Sequence, residues 1–273
     1  MLQARTWLPR TEGSVRLEFE CLDGRTHLGV LHQAGAARAR FPKPGAGAPP
    51  EAVLLNMAGG LTGGDRMDLE VMLGAGAEAT LTTAAAEKIY RSRDGDAGIG
   101  VKLALGAGAR LAWLPQATIL FDGSRLDRRT EVQLAGDAAF LAVEQLVFGR
   151  QAMGEDVHYG TCRDAWRIRR EGALVFADTF RVGGAIAAAL DRPATLAGAR
   201  AAAMLIYVAA DAASRLEAVR AMLEGLESVA GASAWNGLLV VRAYARGGRT
   251  LQGDIAPLVR MLSGRPLPRV WQC

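Results

Sequence analysis

Histidine and cysteine are both scarce in this 273-residue chain, which contains three of each. The cysteines are Cys21, Cys162 and Cys273. They are too few and too scattered for a disulfide framework, and no pair has the spacing of metal ligands. His27 and His32 are five positions apart, which on a strand places them on opposite faces. These shortages argue against a disulfide scaffold and against a zinc site or a histidine-activated nucleophile.

The chain also lacks a strongly charged segment and a long apolar run. Its 32 basic residues nearly balance 28 acidic ones, without a basic arm, so nucleic acid is not a favoured partner. The longest apolar run, residues 201–210, is too short to cross a bilayer. The first ten residues lack the apolar core of a signal peptide. We therefore expect a soluble cytoplasmic protein without a membrane partner.

The common catalytic motifs are missing as well. The segment "NMAGGLTGGDRM", residues 56–67, is rich in glycine, but no G-K-[ST] follows and the spacing is not G-x-G-x-x-G. Two explanations compete: a loop that cradles phosphate, or a backbone crossing that another segment approaches closely. Asp65 would repel a phosphate, which favours the crossing. Since no G-x-S-x-G elbow occurs either, a binding or scaffold protein is favoured over an enzyme. The four glycines are Gly59, Gly60, Gly63 and Gly64.

Three segments resemble one another. Residues 71–83 and 103–115 share L-G-A-G-A, and residues 132–144 repeat the shape with L-A-G-D-A. Each segment predicts a strand, a tight turn and a second strand. Two alternatives stay open: coincidence in a chain rich in alanine and glycine, or a stack of similar β-modules.

The rest of the sequence predicts a mainly β fold in one domain, residues 1–273. Hairpins are expected with turns at Asp23-Gly24 and near Glu171-Gly172. Helices are expected only late in the chain. One lies within 211–230, with Ser214 and Glu217 as a capping box. The other runs from about Asp254 to Leu262 and ends at Gly264.

Five motifs occur in an order that resembles the urease accessory protein UreD (UreH) family. They are "NMAGGLTGGDRM", "TLTTAAAEKIYRS", "LPQATILFDGSRL", "EQLVFGRQAMGE" and "LPRVWQC". The resemblance implies a stacked, β-helix-like or β-sandwich body with two helices in the C-terminal third. It also implies a non-enzymatic chaperone that joins UreF and the GTPase UreG on apo-urease and assists nickel insertion through an internal tunnel. No tightly bound cofactor is expected, only nickel(II) in transit.

A transit route should bind nickel weakly, and carboxylate or carbonyl oxygens suit that purpose better than a histidine–cysteine cluster. The candidate nickel-route residues are Asp65, Glu144, Glu155 and Asp178. Of these, the two glutamates flank the segment "FGRQAMGE", which is predicted to be a strand. Ordinary salt bridges or solvated faces are the competing explanation for each. "KIYRS" has the composition of a binding rim, whereas "TILF" fits either an interface or the body. The candidate motif and partner-binding residues are Gly59, Gly60, Gly63, Gly64, Thr82, Thr83, Lys88, Tyr90, Arg91 and Arg150.

Overall fold

Two large β-sheets make up most of the structure, a computed structural model that describes residues 10–45, 48–150 and 153–272. The N-terminal segment 1–9 and Cys273 therefore lie outside the described residues. Among the described residues, the strands of the first sheet are β1 (Glu12–Leu22), β2 (Arg25–Gly35), β5 (Arg66–Leu73), β8 (Ala97–Leu105), β11 (Arg125–Leu134), β13 (Tyr159–Arg170) and β14 (Ala173–Ala185). These seven strands lie in the order β14-β13-β11-β8-β5-β1-β2.

The second sheet has ten strands among the described residues, eight of them in the order β16-β17-β15-β12-β9-β6-β4-β3. Two short strands, β7 and β10, pair with each other, and β10 also pairs with β12. The strands are β3 (Ala37–Arg40), β4 (Glu51–Asn56), β6 (Glu78–Thr83), β7 (Glu87–Ile89), β9 (Arg110–Leu114), β10 (Thr118–Leu120), β12 (Ala139–Phe148), β15 (Ala201–Val208), β16 (Val229–Trp235) and β17 (Leu238–Ala245).

The three similar segments are successive coils of one stack. In each, the chain leaves the first sheet, turns, and enters the second, so that β5, β8 and β11 pair in parallel, as do β6, β9 and β12. Leu73 pairs with Leu105, and Leu105 with Leu134, so the shared leucines form a ladder. The corners bond to each other through Gly106 N–H to Leu73 O and Ala135 N–H to Leu105 O. The prediction of stacked β-modules is confirmed.

Antiparallel hairpins close the two ends of the first sheet. The β1–β2 hairpin turns at Asp23 and Gly24, both with positive φ, and the β13–β14 hairpin turns at Glu171 and Gly172 in the same way. Positive φ at two central residues gives a turn whose twist matches that of the strands. Both predicted hairpins are confirmed.

The helices depart from prediction at their starts. Helix α2 covers only Leu216–Leu223, and its N-cap is Arg215 without a side-chain cap. The predicted capping box is wrong, because Ser214 Oγ donates to Asp211 O. Helix α3 is Gly248–Ser263 rather than starting near Asp254, whose carboxylate accepts hydrogen bonds from Ser228. It ends at Gly264 as predicted, with φ 63°.

Two further local predictions are corrected. A short helix, α1 (Ile186–Leu190), follows β14 and was not expected. The segment "FGRQAMGE" is not a strand, because β12 ends at Phe148 and Gly149 adopts φ 84° at the start of a turn. Residues 151–152 of this segment lie outside the described residues. Helix α3 covers the outer face of the second sheet with Leu251, Ile255, Leu258, Val259 and Leu262.

Candidate functional site

A polar layer interrupts the apolar filling between the two sheets. On β11, Leu126 and Val132 belong to two separate apolar clusters, and the inward positions between them are Arg128 and Thr130. Side chains two apart on a strand share a face. A charged and a hydroxyl group therefore face the interior where the pattern alone predicts leucine or valine.

The neighbouring strands carry charges at the same level. On β12, Glu144 lies between Ala142 of one cluster and Leu146 of the other. On β13, Asp164 pairs in register with Arg128 of β11. Arg128, Glu144 and Asp164 are each 6% exposed or less. Burying three charges is costly unless they are paired, so this level of the stack is the candidate site.

One guanidinium joins the three. Arg128 Nη2 lies 2.6 Å from Glu144 Oε1 and 2.8 Å from Asp164 Oδ2. Arg128 Nε donates to Asp164 Oδ1 at 3.0 Å, and Nη1 donates to Thr118 Oγ1 at 2.9 Å. The pair with Asp164 is therefore bidentate, which is the strong geometry for arginine and carboxylate. Glu144 Oε1 has only the close charge contact and no well-formed hydrogen bond.

Two cavities meet at this triad, which consists of Arg128, Glu144 and Asp164. The first cavity has a volume of about 370 Å³, the second about 520 Å³, and Glu144 lines both. Arg128 and Thr130 line the first, and Asp164 lines the second. Other residues of the first cavity are Asn56, Gly59, Thr83, Ala84, Glu87, Lys88, Gln116 and Thr118. Other residues of the second are Trp166, Asp178, Phe180, Ala202, Gly231 and Arg242.

Burial controls the protonation of these groups. It raises the pKa of Glu144 to about 8, although the charge of Arg128 opposes the shift. Burial alone would lower the pKa of Arg128, but the charges of Asp164 and Glu144 raise it well above its usual value. The Cys162 thiol beside them has its pKa raised by burial to about 12. With one cation between two acids, the triad favours a proton on Glu144 at neutral pH.

We expect Glu144 to make the protein less stable as pH rises. An acid whose folded pKa of about 8 exceeds its ordinary value of 4.5 binds a proton more readily when folded. The free energy of unfolding should then fall as the pH rises from about 4.5 to about 8, by up to about 5 kcal/mol. Denaturant unfolding as a function of pH measures this. Glu144→Gln should flatten the profile, and the exposed control Glu70→Gln should not; identical profiles for all three proteins would contradict the assignment.

The four predicted nickel-route carboxylates are not brought together. Glu144 lies between the cavities, and Asp178 lies in the second one, where it pairs with Arg242 at 2.9 Å. Asp65 is buried, but its carboxylate accepts backbone N–H groups from Thr11 and Thr62, each at 2.8 Å. Asp65 does not line either cavity. These backbone hydrogen bonds account for the burial of Asp65. Its role in metal transit stays a prediction.

Glu155 and the two threonines have separate surroundings. Glu155 forms a salt bridge with Arg150 outside both cavities. Thr82 is fully buried and donates to Leu114 O at 2.6 Å. Thr83 lines the first cavity and accepts a hydrogen bond from Gln116 N–H at 2.9 Å.

The C-terminal motif packs beside these threonines. Trp271 is buried, and its Nε1 donates at 3.0 Å to Leu114 O, the same carbonyl that accepts from Thr82. The Gln116 side chain donates to Val270 O at 2.8 Å. Three motifs that are far apart in sequence therefore converge at one edge of the first cavity.

Gly60, Gly63 and Gly64 pack the coil corners tightly, whereas Gly59 has open space around it. A Cβ at Gly63 would overlap Ser92 Oγ and Asp94 O, and one at Gly60 would overlap the ring of Tyr90 and lie 2.9 Å from Lys88 O. Gly59 and Gly64 have φ of 75° and 85°. These contacts favour the backbone crossing over the phosphate loop.

The same corners present an aromatic and basic surface, which we call the corner surface: the exposed Tyr90, Arg91, Arg150 and Tyr159 around the half-buried Phe121. The rings of Tyr90 and Phe121 meet edge to face with centroids 4.9 Å apart, and Arg150 lies over the Phe121 ring at 4.6 Å. Arg91 pairs with Asp122 at 2.8 Å, and Tyr159 is 66% exposed. Aromatic and arginine side chains are enriched at the centres of protein interfaces.

Sequence reasoning missed Arg128, Asp164 and Glu87. The signal for Arg128 was present, because Leu126, Val132 and Leu134 mark one apolar face of β11 and Arg128 falls on it. No such signal shows which strand lies opposite. Within the described ranges, no group of three or more His, Cys, Asp or Glu side chains is arranged to hold a metal ion. No helix in that part of the chain is both long and apolar enough to span a membrane.

Comparison with known proteins defines the class. A family model described as "UreD urease accessory protein" matches residues 11–272. The chain is 49% identical over 262 residues to the urease accessory protein UreD of Xanthobacter autotrophicus, covering 96% of this chain and 90% of the relative. It is 50% identical to the one of a Methylobacterium species, covering 96% and 95%, and 48% identical to that of Rhizobium etli, also 96% and 95%.

The stacked sheets with a polar level inside thus belong to a class of accessory proteins that serve another protein, urease. Within that class, this chain belongs to the UreD family. Its role lies in the maturation of urease.

Proposed function

We propose that this chain acts in the cytoplasm with UreF and the GTPase UreG, docks with them on apo-urease, and assists the insertion of nickel. It does so as one domain, without catalysing a reaction and without a tightly bound cofactor. The two cavities are the route along which nickel(II) travels. The observation that carries this proposal is that Glu144 lines both cavities, so that they adjoin at one buried carboxylate.

The chemistry of the cavities suits brief metal contacts. Nickel(II) accepts carboxylate and carbonyl oxygen, although it prefers imidazole. A conduit must bind its ion well enough to admit it and weakly enough to release it, which several separated sites achieve better than one deep site. Glu87 in the first cavity, Glu144 between the two, and Asp178 in the second provide such a series.

The first carboxylate of the series resembles Glu144 in its surroundings. Burial raises the pKa of Glu87, while a hydrogen bond from the Asn56 side chain at 3.0 Å opposes the shift. Glu87 pairs in register with Thr118, whose hydroxyl accepts from Arg128. The first cavity is therefore connected to the triad through polar atoms.

The test is reconstitution. The chain is co-purified with UreF and UreG, incubated with apo-urease and nickel, and the re-isolated urease is analysed for nickel and activity. We expect nickel loading to require this chain. Equal loading in its absence would overturn the proposal.

The corner surface is proposed as a contact for a protein of this complex. We expect Tyr90→Ala combined with Arg150→Ala to weaken binding to UreF or to apo-urease by about tenfold or more, because aromatic and arginine anchors carry much of an interface's energy. Pull-down with each partner separately measures the effect. Lys102→Ala, exposed on β8, is the control. Undiminished binding to both partners would remove the corner surface from the proposal.

A further inference from the structure

When both of its acids are ionised, the triad between the cavities carries one more negative than positive charge; the proton that Glu144 holds at neutral pH would have to leave as a dication binds. Arg128 contributes the only cation of the three, and it is placed where the two cavities adjoin. The same nitrogen, Nη2, touches one oxygen of Glu144 and one of Asp164. These oxygens are therefore close enough to share a single cation, and at present that cation is the guanidinium.

Without the guanidinium, the same oxygens would form a buried site for a divalent ion. Two facing carboxylates in a low-dielectric interior attract a dication strongly, and metal affinity rises with the number of charged ligands. Such a site would retain nickel, which is the opposite of what a conduit needs. Arginine suits the task of occupying it, because its charge is not lost by deprotonation within proteins.

The hydrogen bonding of the triad shows which contact is the weaker. Asp164 holds Arg128 through two hydrogen bonds, whereas Glu144 Oε1 has a close charge contact without a well-formed hydrogen bond. Two other buried polar atoms at this level, Thr130 Oγ1 and Trp166 Nε1, also have no hydrogen-bond partner within the described part of the chain. They line the first and second cavities respectively. Glu144 is thus the group that can turn towards an ion on either side while Arg128 stays on Asp164.

We propose that Arg128 is a resident cation that prevents Glu144 and Asp164 from trapping nickel, so that the ion passes from one cavity to the next. An arriving dication shares the Glu144 carboxylate with the guanidinium. The guanidinium then pairs with this carboxylate again, and the ion is released from it. The inference rests on the proposed function, in that nickel is taken as the ion that arrives. No bond is made or broken beyond ion pairing.

The test measures nickel binding rather than urease activity. Arg128→Gln removes the charge but keeps an amide donor for Asp164 and Thr118. In the complex with UreF, we expect equilibrium dialysis with nickel chloride to show that this variant binds nickel at least about tenfold more tightly than wild type. The reason is that loss of the guanidinium makes the net charge of the site more negative by one. Arg128→Lys, which keeps the charge, should bind weakly. The control Arg129→Gln, exposed on the same strand, should match wild type.

A triple variant locates any new site. In Arg128→Gln/Glu144→Gln/Asp164→Asn the gain in affinity should vanish, because both carboxylates are gone. Wild-type affinity in a folded Arg128→Gln complex overturns the inference, and so does a gain that persists in the triple variant.

A second variant covers the case in which Arg128→Gln does not fold. Asp164→Asn is nearly isosteric and leaves Arg128 with Glu144 alone, so the net negative charge that ionised Glu144 would give this level for a dication is lost. We expect nickel loading of urease to fall several-fold while UreF still binds; unchanged loading overturns the inference. Failure of the proposed nickel route gives a different result from failure of this inference. If the route is wrong, a variant that blocks the second cavity still loads urease normally, whatever the nickel affinity of Arg128→Gln.

Discussion

Ala202→Trp should stop nickel reaching urease while the protein still assembles with its partners. Ala202 lies on β15, faces the space between the sheets, and lines the second cavity. That cavity, about 520 Å³, has room for an indole ring. We expect nickel loading in the reconstituted system to fall by about tenfold or more, because a filled interior leaves no space for an ion and its water.

The matched control is Ala177→Trp. Ala177 is exposed on β14, directly before Asp178, which faces the second cavity. The two variants add the same indole ring, Ala202→Trp inside the second cavity and Ala177→Trp on the exposed surface. Equal loading by Ala202→Trp and wild type would rule out the second cavity as the route, and equal losses in both variants would point to a general effect on folding.

Gly63→Ala should destabilise the protein severely. The new methyl group would overlap Ser92 Oγ and Asp94 O and lie 2.7 Å from Gly95 O. Two of these atoms belong to the backbone of the next coil, so the corner must separate to make room. We expect a loss of about 3 kcal/mol or more in the free energy of unfolding.

Gly253→Ala provides the comparison. Gly253 lies in the middle of α3, is exposed, and has open space around it. There the same change should stabilise the protein by about 0.5–1 kcal/mol, because alanine favours the helix. Denaturant unfolding of both variants decides the matter. A loss below about 1 kcal/mol at Gly63 would contradict the close packing of the coil corners.

The repeat of the L-G-A-G-A type indicated stacked sheets, because a strand, turn and strand repeated along the chain can bury its apolar face on the next copy, but it left coincidence open. Both hairpins followed from two-residue turns of types that tolerate positive φ. The helices were harder. Asp254 resembles a helix start, yet it lies inside α3 and binds Ser228.

The candidate site was only partly predictable. Glu144 and Asp178 were identified among many carboxylates, and both line the second cavity. Asp65 was grouped with them because it follows the glycines, but its carboxylate bonds to backbone N–H groups. Nothing local distinguishes an acid that caps a turn from one that faces a cavity. The distinction depends on which segments pack against it.

The sequence alone determined the local order of this protein, namely its strands and its turns. It also determined that the chain belongs to the UreD family. Strand periodicity and turn chemistry act between neighbours along the chain, and so they are readable there. Only the tertiary structure decided that Arg128, Glu144 and Asp164 form one buried triad between two cavities. The reason is physical: they sit on three strands from two sheets, and the electrostatic energy of such a group depends on distances that no spacing in the sequence contains.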